Sequence, residues 1–300
     1  MEYAHCGGRD GHPARNFCTV LEGRRDNAHG RNRIEAAARP LCGGWGSMSS
    51  LPKDVTELTD LLAGMNGTVA VVLGGSRAGG CADAASDWDV AVYYRGEIDL
   101  AALAAIGTVH PPGSWGRLMN GGSWLQLNGQ KIDVMLRDLD VVEFWTERAR
   151  RGEYEVDLLL GYLAGVPTYS LSAELAQGQA LYGGVPRIES FPAKLAANAP
   201  AQWHFRCTFS LEYARMHARR GNFVGAMGQV MKAVMEEAHA IACRRGQWVI
   251  NEKRLIQAAG LEEAQHAVSR VPNQASQLLA WIDGIDRVLE GARQTEGVLT

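Results

Sequence analysis

The chain has 300 residues, 46% hydrophobic and 21% charged, a balance that suits a soluble globular protein long enough for two cores. A formal net charge of −3 gives no global pull toward nucleic acid or an anionic membrane, and apolar runs such as TVAVVLGG fall far short of the roughly 20 residues that span a bilayer. Six cysteines scattered without a CxxC pair argue against a secreted disulfide framework and for reduced thiols in a cytoplasmic protein.

Residues 1–47 are rich in Gly, Arg and Asn and lack a sustained hydrophobic period, so they read as a disordered N-terminal extension. Their Cys6, Cys18, Cys42, His5, His12 and His29 fit no compact zinc module, and the stretch has no apolar core of a secretory signal. From Met48 the pattern becomes regular. VTELTDLL predicts an amphipathic helix, TVAVVLGG a buried strand, WDVAVYY a second strand, and DLAALAAIG a short helix capped by Asp99. WLQLNGQKIDVML alternates on either side of Asn128-Gly129, the pair best suited to a type I′ hairpin. DLDVVEFWTERARRG reads as a helix stopped by Gly152.

Composition then shifts. Pro167, Gly183, Gly184, Pro186 and Pro192 mark a loop-rich connection, beyond which helices are expected from about Gln202, over FVGAMGQVMKAVMEEAHAIACRR, over EKRLIQAAG and over ASQLLAWIDGIDRVLEGAR. The second of these places Phe223, Met227, Val230, Val234, Ala238 and Ile241 on one stripe. Lys232, Glu236 and His239 share another face, which reads as solvated. The expected organisation is a mixed-sheet domain over 48–185 and a helical domain over 186–300.

Chemistry concentrates in GGSRAGGCADAASDWD, residues 74–89. Glycines let backbone amides approach phosphate oxygens, and no G-K-[ST] follows them, so the run is not a Walker A loop. Alone it reads as a surface turn. Asp87 and Asp89 lie two apart at the head of a strand, which sends both carboxylates to one face and Trp88 to the core behind them. In KIDVML, Asp133 interrupts an apolar strand whose Ile132, Val134 and Leu136 face the other way. Three aspartates on neighbouring strands repel one another unless a cation lies between them, and magnesium is the ion commonly held by a few carboxylates, water and phosphate oxygens. Ser86 reads either as a hydroxyl ligand or as a cap of the turn before the strand, while Trp115 and Trp124 in PPGSWGRLMNGGSW read either as core or as a platform for an acceptor or a base.

Gly74-Gly75-Ser76, Asp87-Trp88-Asp89 and Asp133 in I-D-V resemble the nucleotidyltransferases of the DNA polymerase beta superfamily, with a pattern of a hydrophobic residue, G-[GS], then D-x-[DE] and a later lone carboxylate. GSRA followed by SDWD is similar to small bacterial members, among them antibiotic nucleotidyltransferases. The resemblance covers about residues 68–137. It implies an α+β nucleotidyltransferase fold followed by a C-terminal helical bundle. It also implies Asp87, Asp89 and Asp133 as catalytic residues and ligands of one or two Mg²⁺ ions, with Gly74, Gly75, Ser76 and Arg77 at a nucleoside triphosphate. Lys232, with Lys253 as a second candidate, is implied as the helical lysine that reaches the phosphates.

The reaction so implied moves a nucleoside monophosphate, AMP from ATP in the first reading, to a hydroxyl of a small acceptor of the aminoglycoside kind. The alternatives are a protein or RNA acceptor and a non-catalytic nucleotide sensor; the lack of a basic stripe speaks against extended nucleic-acid contact.

Overall fold

The computed structural model describes residues 51–80, 82 and 86–298. The expectations for residues 1–47 and the place of Cys81 therefore lie outside the described residues. Helix α1 (Lys53–Ala63) buries Val55, Leu58 and Leu62 at the spacing its sequence predicts. Strand β1 (Thr68–Leu73) leads into a single helical turn, α2 (Gly75–Ala78), where the sequence suggested only a turn. Strand β2 (Trp88–Tyr94) follows, then the one-turn helix α3 (Ala101–Ala104), whose Ala101 amide donates to Asp99 Oδ1 at 3.0 Å.

Next come β3 (Val109–His110), the short α4 (Gly116–Met119), β4 (Gly121–Leu127) and β5 (Gln130–Asp138). Asn128 and Gly129 have φ of 47° and 82°, so the expected two-residue hairpin with both central residues at positive φ is present. Helix α5 (Leu139–Arg150) opens with Asp138 accepting from the Asp140 amide and is followed by Gly152 at φ 81°.

The connection after α5 is more ordered than its prolines and glycines suggest. It holds a two-stranded ribbon, β6 (Val156–Asp157) with β7 (Val166–Pro167), then helix α6 (Ser170–Gln177) and edge strand β8 (Gln179–Gly183). Leu171, Ala173 and Leu175 of α6 are buried, a tertiary contribution that a short helix needs. Helix α7 (Ala193–Arg219) begins well before Gln202 and runs through Pro200; its buried Leu195, Ala199 and Trp203 offset a defect that costs about 3 kcal/mol in an exposed helix. Helices α8 (Phe223–Arg244), α9 (Leu255–Ala259), α10 (Glu262–Ser269) and α11 (Leu278–Val298) complete the chain.

The main sheet has the order β3-β4-β5-β2-β1-β8, with β2 and β5 parallel and every other pair antiparallel. Period-2 alternation divides its residues between two cores. Val71, Leu73, Trp88, Val90, Val92, Ile132, Val134 and Leu136 pack with α1 on one face. Ala70, Val72, Ala91 and Tyr93, on the other, share a cluster with Trp145, Leu171, Leu195, Trp203, Cys243 and Trp248. That second cluster draws on strands and on α5 to α8 alike. A third cluster lies among α7 to α11.

Helix α8 corrects one expectation. Val230, Val234, Ala238 and Ile241 are buried as the stripe predicts, but Glu236 and His239 are only 1% exposed, so their face is not solvated. The helix is covered on several sides by α7, α9 and α11, and its polar face is enclosed with the apolar one. Ser210 Oγ donates to Glu236 at 2.7 Å, while His239 stacks on Trp203 with ring centroids 4.3 Å apart.

Candidate active site

The end of β1 and the start of β2 are joined by the Gly74 amide, which donates to the Asp89 carbonyl at 2.8 Å. Gly75 then turns back at φ 63° directly over the Asp89 side chain. A Cβ at this position would fall inside the van der Waals radius of the Asp89 carboxylate, so position 75 needs glycine for space as well as for conformation. The glycine loop and the D-x-D motif are thus one packed unit.

Asp89 pairs in register with Asp133 on the parallel neighbour β5, which sets the two side chains side by side on one face. Asp87 stands two residues earlier, partly exposed, and Trp88 is buried on the far face as expected. Burial, followed by repulsion from Asp133, pushes the Asp89 carboxyl up to about 6, with Asp87 and Glu174 adding to the effect and Lys253 opposing it. Burial and then Asp87 raise Asp133, against the pull of Lys253 and Lys131. Lys253, from the helical half of the chain, is therefore within electrostatic reach of both carboxylates.

Lys253 is held by its surroundings. Its amide donates to Asn251 Oδ1 at 3.0 Å, and the preceding Glu252 accepts from the Leu163 and Ala164 amides, both at 2.8 Å. Tyr162, in the same loop, is raised by burial and by Glu174, with Glu252 and Asp89 also contributing, which puts the phenol within electrostatic reach of the cluster. Beneath it Arg137, 1% exposed, donates from Nε and Nη2 to Glu174 at 2.7 and 2.8 Å and from Nη1 to the Met119 carbonyl at 3.0 Å. Tyr162, Glu174 and Arg137 were missed in the sequence. The one signal was a charged Arg137 two residues beyond Met135 on the Asp133 face of an otherwise apolar strand.

Other sequence candidates take different places. Arg77 donates from Nε to the Asp87 carbonyl at 3.2 Å and from Nη2 to the Ser86 carbonyl at 2.5 Å, with its guanidinium 4.2 Å from the Trp88 ring centroid. It clips the approach to β2 and so positions Asp87. Ser76 lies in α2, half-buried, next to Gly75. Lys232 sits 3.7 Å from Glu236 in a cavity of about 600 Å³ between α7 and α8, lined also by Phe205, Phe209 and Ser210. None of the three aspartates lines that cavity. Trp115 and Trp124 are not core: Trp124 is 62% exposed and Trp115 half-buried.

Among the described residues no group of three His, Cys, Asp or Glu side chains is gathered as a complete metal site. The donor set still fits a hard divalent cation, because Asp89 and Asp133 face each other at close quarters with raised carboxyls, and magnesium takes one or two carboxylates and completes its shell with water and phosphate oxygens.

The fold is the expected α+β class: a mixed sheet flanked by helices, followed by a helical region. No protein-family model matches the chain, and no curated protein matches it. Among solved structures, it is similar to a nucleotidyltransferase-like protein from Exiguobacterium sibiricum, at 13% identity and a TM-score of 0.40, over 81% of this chain and 75% of that one. A second is the CdnE cyclic dinucleotide synthase of Elizabethkingia meningoseptica, solved with GTP and Apcpp, at 12% identity and a TM-score of 0.23, over 77% and 88%.

Proposed function

We propose that the chain is a Mg²⁺-dependent nucleotidyltransferase that moves a nucleoside monophosphate, AMP from ATP in the first reading, to a hydroxyl of a small acceptor and releases pyrophosphate. The observation that carries this reading is the packed unit of Gly75 on Asp89 with Asp133 in register beside it. It supplies a side-chain-free approach to the carboxylates on one side and a second carboxylate on the other.

In this reading the backbone at Gly74 to Ser76 and the Ser76 hydroxyl hold the outer phosphates, and the Lys253 ammonium neutralises part of their charge. Asp89 and Asp133 in register, with Asp87 two residues before Asp89, would hold the metal, and Arg77 fixes the main chain at Asp87. When bound, Mg²⁺ supplies charge stabilisation for the attacking and leaving oxygens at the α-phosphate. Asp133 accepts the proton of the acceptor hydroxyl as the new phosphoester bond forms and the bond to pyrophosphate breaks.

The test is transfer of label from α-labelled ATP in the presence of Mg²⁺ to a panel containing aminoglycosides, lincosamides, tRNA and a cell lysate. Asp89→Asn and Asp133→Asn should each abolish label transfer while far-UV circular dichroism stays that of the parent. An active Asp89→Asn, Asp133→Asn double variant overturns the assignment. Nucleotide that binds to the parent without any label transfer favours the sensor reading.

A further inference from the structure

We propose that the indole face of Trp124, backed by Trp115 and His110, is the subsite that receives the flat face of a hydroxyl-bearing ring in the acceptor, a sugar or nucleoside ring; this rests on the nucleotidyl-transfer reading above. Trp124 lies opposite Asp133 in the β4–β5 register, and directly opposed residues of an antiparallel pair project to the same face. Across the sheet the order is therefore Trp124 on β4, Asp133 on β5, Asp89 on β2 and the Gly75 turn after β1. If the phosphates lie at the glycine turn, the aromatic surface is on the far side of the carboxylates, where an attacking hydroxyl has to approach.

The surface is built rather than incidental. Trp115 and Trp124 stack with centroids 4.8 Å apart and planes inclined by 25°, and His110 meets both rings, at 5.0 and 4.9 Å. A Cβ at Gly122 would come within 2.8 Å of the Trp115 ring and collide with the Val134 carbonyl, so the glycine there lets the indole lie down on the strand. The loop carrying Trp115 is pinned by Asn120, whose Oδ1 accepts from the Gly113 amide at 2.9 Å and whose Nδ2 donates to the Tyr94 hydroxyl at 2.7 Å. Trp115 also closes onto the Asn120 carbonyl through its own amide at 3.1 Å. A large indole held this way and left 62% exposed leaves apolar area open beside a carboxylate, with its conformational cost already met in the free protein.

The experiment compares the parent with Trp124→Ala and Trp124→Phe. Binding of kanamycin, as an amino-sugar probe, and of adenosine, as a nucleoside probe, is followed by tryptophan emission and saturation-transfer NMR, and ATP affinity is measured separately on each protein. The expected result is saturable binding of at least one probe, weakened about tenfold or more by Trp124→Ala and largely kept by Trp124→Phe, with the ATP dissociation constant within about threefold of the parent. Which probe binds tells an amino sugar from a nucleoside.

A parent that binds ATP but neither probe, or a Trp124→Ala variant that binds them as tightly, overturns the platform and leaves the triphosphate site standing. A Trp124→Ala variant that loses ATP affinity in the same proportion also overturns it, by placing the donor nucleotide on the indoles. A parent that binds no ATP overturns the parent reading, and with it the acceptor role.

Discussion

Single side chains decide whether the site exists. Gly75→Ala adds one carbon where the Asp89 carboxylate lies, so Asp89 has to move by an ångström or more. The backbone strain is only about 1 to 2 kcal/mol, which leaves the fold in place, whereas a displacement of this size costs about a hundredfold in rate. Label transfer and a melting curve on the same preparation should show that contrast.

A second residue bears on pH. Burial alone lowers His239 from its usual 6.5 to about 3, and among the described residues neither ring nitrogen has a hydrogen-bond partner. The folded state keeps the ring neutral while the unfolded chain takes a proton near 6.5. Its contribution is therefore complete above that value and falls as pH drops toward 3, by about 1.4 kcal/mol per pH unit at most. His239→Phe, which keeps a ring against Trp203, should lose less stability than the parent between pH 7 and 5 in urea melts. Parallel loss in both proteins would refute the assignment. At this scale the faces of Trp88, Asp89 and Asp133 are legible in the sequence, because alternation along a strand fixes them, whereas Asp87 lies just ahead of the strand. His239 and Glu236 were not legible, because one helix does not reveal how many neighbours cover it.

Elements bring the lysine. Two candidates are visible in the helical half, and spacing along the chain does not separate them; the path of the chain after α8 brings Lys253 within electrostatic reach of Asp89 and Asp133. Lys253 lies in the segment before α9, fastened to the 163–164 amides through Glu252, whereas Lys232 pairs with Glu236 in the cavity between α7 and α8. Lys253→Ala should raise the KM for ATP by about tenfold, with a much smaller change for Lys232→Ala. Glu252→Gln should weaken ATP binding through the same loop without altering the charge of Lys253. Steady-state kinetics on the three variants check both statements. The Asn128-Gly129 hairpin was readable because its turn chemistry is local. By contrast α6 and β8 were hidden, since their stability comes from contacts with the sheet and from β1 rather than from their own short patterns.

For the whole molecule, the decisive observation is that one core serves both halves. Trp203 is fully buried, donates from Nε1 to the Tyr169 hydroxyl at 3.0 Å, and belongs to the cluster that includes Ala70, Val72 and Tyr93 of the sheet. Trp203→Ala should cost about 3 to 5 kcal/mol and show it in both secondary-structure and tryptophan-emission melts as one transition. Residues 48–185 expressed alone should aggregate or bind a hydrophobic dye, because the face that meets α7 and α8 would be left open to water; a soluble, cooperatively melting fragment would refute this. The change from strand-like to helical pattern was plain in the sequence, but a change of pattern does not report where the buried surface is continuous.

That continuity limits recombination. A protein assembled from exchangeable modules acquires a new specificity by accepting a foreign half at a linker, but a crossover near residue 186 here would cut through the packing of Trp203, Tyr169 and Leu195 and leave two mismatched surfaces. On the transfer reading proposed above, variation in the acceptor is confined to segments that can change without disturbing this core, such as the exposed residues 111–114 ahead of Leu118, which belongs to it. New acceptors should therefore arise by point changes and loop-length changes there, with the helical half inherited intact.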